Sequence, residues 1–80
     1  MTNWKEYIVS DKAVLLGKPC ITGTRLSVEF LLKLLANGWS EEQIFKNYPR
    51  LSREALQAVF AYMHECMQDG LLFPLEPRAA

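Results

Sequence analysis

Apolar positions change their spacing near Leu26. Before it they come in short runs, Ile8-Val9, Val14-Leu15-Leu16 and Cys20-Ile21, set apart by Ser10-Asp11, Gly17-Lys18-Pro19 and Gly23. Short apolar runs punctuated by Gly, Pro, Ser and Asp read as small strands and turns. Pro19 has no N–H for a ladder, so a strand there is an edge or begins after it. A lone hairpin is barely stable in water. Residues 1–26 are therefore expected to form a β arm or two-stranded hairpin that packs on another element.

From Ser27 onward the spacing is helical. Ser27 is the expected N-cap of a first helix over about 28–37, with Leu26 and Leu31 as a hydrophobic staple and Gly38 as the left-handed cap. Ser40 with Gln43 three residues on makes a capping box, and Glu41 and Glu42 suit the positive end of a helix over 41–47. Pro49 disfavours helix at Tyr48. Ser52 caps a third helix over 53–68, with Leu51 and Leu56 as its staple. Along it Ala55, Leu56, Val59, Phe60, Tyr62, Met63, Cys66 and Met67 share one face. Arg53, Glu54, Gln57, Ala61, His64, Glu65 and Gln68 share the other. The expected core is Leu32, Leu35, Ile44, Phe45, Leu56, Val59, Phe60 and Met63. The fold class is thus mainly α: a three-helix bundle over 27–69, a helix-turn-helix variant, between the arm and an apolar tail over 70–80.

Composition narrows the function classes. Eighty residues hold one domain, and nine Lys plus Arg against nine Asp plus Glu give a formal net charge of zero. A strongly basic nucleic-acid binder is not what this balance describes. Half the residues are apolar, enough for a core. No apolar run approaches the about 20 residues that a membrane helix needs. The N-terminus has no basic region followed by an apolar stretch, so no signal peptide is expected. Cys20 and Cys66 read as small buried hydrophobes, not as a disulfide framework. A cytoplasmic protein with reduced thiols is the expectation.

Catalytic constellations are not visible. His64 is the single histidine, and Cys66 lies two residues from it on the opposite side of the helix, so no metal site is expected. A phosphate loop would need Gly at position 12 and Ser or Thr at 19, where Lys12 and Pro19 stand. Gly17 and Gly23 read instead as turn residues. Neither enzyme chemistry nor a cofactor is expected.

One pattern carries further. Gly17-Lys18-Pro19-Cys20-Ile21-Thr22-Gly23-Thr24-Arg25-Leu26-Ser27-Val28 resembles the signature of the domain-of-unknown-function family 433. Asn37-Gly38-Trp39-Ser40-Glu41-Glu42-Gln43-Ile44, Asn47-Tyr48-Pro49-Arg50-Leu51-Ser52 and the alanines at 55, 58 and 61 resemble its later segments, in order. The resemblance spans about residues 7–65. It implies a homeodomain-like three-helix fold and an antitoxin-like role, often beside a small PIN-like nuclease toxin. It brings no catalytic residues.

Two functional classes remain. A DNA-binding regulator would place the start of the third helix in the major groove, with Arg50, Ser52, Arg53 and Gln57 at the bases and Lys46 at a phosphate. Arg25 belongs with them if it contacts a phosphate; otherwise it ties the arm to a helix end or to Asp11 or Glu29. A protein-interaction module would use the bundle only as scaffold, and its surfaces would be the apolar arm and tail. Apolar residues outside the helices, Trp4, Tyr7, Ile8, Val9, Val14, Leu15, Leu16 and Ile21, then Leu71, Leu72, Phe73 and Leu75, favour a homodimer or a toxin partner.

Overall fold

The computed structural model describes residues 3–13 and 15–70. The expected tail beyond Gly70 lies outside the described residues, as does Val14 of the arm. A 3₁₀ turn over Trp4–Glu6 leads into strand β1, Ile8–Val9. Strand β2, Cys20–Ile21, pairs with it antiparallel, Ile8 opposite Ile21 and Val9 opposite Cys20. Helices α1, Val28–Ala36, α2, Glu41–Asn47, and α3, Arg53–Gln68, follow. The molecule is a three-helix protein with a short N-terminal hairpin.

Local chemistry sets each helix end. The Ser27, Ser40 and Ser52 hydroxyls accept from Phe30, Gln43 and Ala55 N–H at 2.9, 3.1 and 3.0 Å. The Gln43 side chain accepts from Ser40 N–H at 2.8 Å, which completes the capping box. At the end of α1, Gly38 takes φ +89, while Trp39 N–H reaches the Leu34 carbonyl and Gly38 N–H that of Leu35. This Schellman arrangement turns the chain into α2 within four residues.

The core draws on both strands and all three helices: Ile8 and Ile21 of the hairpin, Val28, Leu31 and Leu34 of α1, Ile44 of α2, Leu51, and Ala55, Leu56, Ala58 and Val59 of α3. Four of the expected core positions, Leu32, Leu35, Phe45 and Met63, are only partly buried against it. In α1 the buried stripe is Val28, Leu31 and Leu34, one position off the expected Leu32 and Leu35. The helix carries leucine at all four positions, so its sequence does not choose between the stripes.

Phe60 departs furthest from expectation. It is 46% exposed, and Met67 on the same face is 68% exposed. Ala61, expected among the polar residues, is buried at 6%. The buried arc of α3 is rotated toward Ala58 and Ala61 because the N-terminal segment packs there. The Trp4 ring lies 4.8 Å from that of Tyr62, and its indole N–H donates to Glu65 at 2.9 Å. Small side chains at 58 and 61 allow that approach. Trp4, Tyr7, Ile8 and Ile21 are thereby covered by their own helices, and Val9 and Leu16 are the large apolar arm residues left exposed among those described. No helix among the described residues is long and apolar enough to cross a membrane.

Candidate nucleic-acid interface

Two tight turns carry the arginines of interest. The first runs from Ile21 to Leu26. Ile21 N–H donates to the Leu26 carbonyl at 2.9 Å, and Thr24 N–H to that of Ile21 at 3.0 Å. The Thr24 hydroxyl donates to the Ile21 carbonyl at 2.9 Å and accepts from Leu26 N–H at 3.1 Å. Gly23, at φ +79, supplies the left-handed residue of this loop. Thr24 thus ties both flanks of Arg25 while the arginine side chain faces solvent.

The second turn is Tyr48-Pro49-Arg50-Leu51, closed by Leu51 N–H on the Tyr48 carbonyl at 2.9 Å. Pro49 at its second position is preset for the turn. Tyr48 stands edge-on to Phe30 of α1 at 5.8 Å, and Leu51 is buried, so the turn is held at both ends. Arg50 is exposed between them.

Both arginines line one open cleft of about 520 Å³, together with Val9, Asp11, Cys20, Gly23 and Thr24. They line an adjoining cleft of about 310 Å³ with Leu26, Asn47, Tyr48 and Pro49. Neither guanidinium makes a hydrogen bond or ion pair among the described residues. The expected tether of Arg25 to Asp11 or Glu29 is not formed. Glu29 pairs with Lys18 at 3.0 Å, because Lys18 lies beside the first turn of α1. The Asp11 carboxylate instead accepts Ala13 N–H at 2.9 Å.

The other candidates sit nearby with different duties. Lys46 is exposed in the last turn of α2. Arg53 opens α3 with its guanidinium 5.4 Å from the centre of the Phe45 ring, a cation–π contact. The Ser52 hydroxyl oxygen caps α3. Gln57 is exposed one turn beyond Arg53. That Phe45 underlies Arg53 has no signal in the sequence, because it depends on contact between separate elements; Asp11, expected as a partner of Arg25, shares its cleft without pairing with it.

Other sites carry less chemistry. His64 is exposed, on a polar cleft with Trp4, Glu65 and Gln68. Cys20 and Cys66 are free and buried. Burial lifts the Tyr62 phenol above its ordinary value, aided by a hydrogen bond with Cys66 and by the repulsion of its charge. No group of metal-ligating side chains is found among the described residues.

The family model described as "Protein of unknown function (DUF433)" matches residues 8–63. The chain belongs to the DUF433 family. No curated protein and no solved structure matches it. The DUF433 match takes in both arginine turns, all of α1 and α2, and α3 as far as Met63.

Proposed function

We propose that this DUF433 protein is a small DNA-binding regulator of antitoxin type, acting as a homodimer and neutralising a PIN-like nuclease. The DNA reading rests on one observation: Arg25, Arg50 and Arg53, from two turns and the start of α3, are exposed together with Lys46 at the end of α2. Exposed cations around the first turn of a helix suit a duplex, with the helix start at base edges and the flanking cations at phosphates. The antitoxin part follows from the sequence resemblance. A net charge of zero sets a limit, since affinity for DNA grows with the number of phosphates neutralised. Two copies on two half-sites would double those contacts. A gel-shift assay on the region upstream of its own coding sequence tests the reading. A retarded band that fades as salt rises is expected, and no retardation at low salt overturns it.

A protein-interaction module is the second reading, favoured by Phe60 and Met67. They lie seven residues apart on α3, on one exposed face of the helix. Light scattering at micromolar concentration bears on it. A dimer that Phe60→Asp dissociates would place self-association on this face, whereas a monomer would remove the homodimer.

A further inference from the structure

We propose that the cleft between Arg25 and Arg50 seats one phosphodiester group of a nucleic-acid backbone, so that both arginines position the duplex and neither reads a base. The inference rests on the DNA reading and refines it, because Arg50 would otherwise be assigned to a base edge.

Three features point to this ligand class. First, both arginines line the same two clefts, and neither side chain has a hydrogen-bond or ion-pair partner among the described residues. Arginine's planar fork matches phosphate oxygens bidentately, and two such forks lining one cleft suit a tetrahedral oxyanion with four oxygens. Second, the backbone of each arginine is fixed. Thr24 ties down the residues on either side of Arg25, and the turn bond between Leu51 and Tyr48 encloses Arg50. Side chains on fixed backbone lose less freedom on binding than those on a loose loop. Third, Asp11 contributes a carboxylate to the lining. Two guanidinium groups against one carboxylate leave a single net positive charge, the complement of a phosphodiester's single negative charge.

Base reading fits less well. Neither arginine lies on a helix: Arg25 is in the turn before α1 and Arg50 in the turn before α3, and residues flanking the helices of helix-turn-helix proteins make backbone contacts. Arg53 and Gln57, on α3 itself, remain the base-reading pair.

The test measures fluorescence anisotropy on two duplexes of equal length and unrelated sequence over a range of salt. The proteins are wild type and the Arg25→Ala/Arg50→Ala double variant, with a thermal melt to confirm folding. Both arginines are exposed and unpaired among the described residues, so the variant should melt with wild type. The double variant should bind both duplexes more weakly by the same factor. The slope of log affinity against log salt should fall by about 2, close to one unit per lost phosphate contact. An unchanged slope, or a loss confined to one sequence, overturns this inference and leaves the DNA reading standing. Failure of wild type to bind either duplex at low salt overturns both.

Discussion

The indole N–H of Trp4 donates to the Glu65 carboxylate at 2.9 Å, joining residues 61 positions apart. With the Trp4–Tyr62 ring contact, this bond fastens the N-terminal segment to the far half of α3. Trp4→Phe keeps most of the ring and removes the donor, so it should cost about 1 kcal/mol, the usual net worth of one such bond. Glu65→Ala, which removes the acceptor, should add little on top of Trp4→Phe, because the two share one interaction. Denaturant melts of the two single variants and the double variant give the coupling directly, and fully additive losses would mean the bond contributes nothing.

The rotation of α3 separates two aromatic and aliphatic positions that its period treats alike. Leu56→Ala empties a fully buried site and should cost about 2–5 kcal/mol, a large share of the stability of so small a domain. Phe60→Ala should cost about 1 kcal/mol or less, since nearly half of that side chain is already in water. Comparable losses for the two in urea melts would contradict the burial of α3 described above.

Helix ends, turn glycines and the hairpin were legible in the sequence, because each depends on residues within a few positions of one another. Ser40 and Gln43 close a capping box whatever the rest of the chain does. Phe60 and Ala61 were not legible. Their order of burial depends on Trp4, and no local pattern reveals where an arm will land. The shared cleft of Arg25 and Arg50 is hidden for the same reason, although the sequence puts both among the candidate DNA contacts. The stripe of α1 was undetermined because leucines at 31, 32, 34 and 35 satisfy two registers.

Gly38 can be tested on conformation alone. Its φ is +89 and a Cβ there would meet nothing within 4 Å, so any penalty comes from the backbone and not from a clash. Gly38→Ala should lower stability by about 1–2 kcal/mol, the cost of a left-handed L-residue. Gly38→Asn should lower it less. Equal and negligible effects in thermal melts would remove the Schellman turn as a constraint.

Alkaline pH should weaken the fold through Tyr62. Its phenol is raised in the folded protein, first by burial and then by Cys66. The folded state therefore holds this proton more tightly than the unfolded chain does. The resulting stability is fully present below the unfolded value of about 10 and is lost as pH rises through the folded value. Melting temperatures recorded from neutral to strongly alkaline pH should fall less steeply for Tyr62→Phe than for wild type. Parallel curves would show that other groups govern the alkaline limit.

DNA binding by this chain requires contact from the start of α3 and the turn before it. The direct measurement is fluorescence anisotropy at low salt on the duplex upstream of the protein's own coding sequence, with wild type and Arg50→Ala/Arg53→Ala compared. Both side chains are exposed, and the cation–π contact of Arg53 with Phe45 is worth about 0.5–1 kcal/mol at such a site, so the variant should remain folded. The expected result is salt-sensitive binding by wild type and a loss of at least tenfold in the folded variant. Equal affinity for the two proteins would remove α3 from the interface and contradict the account.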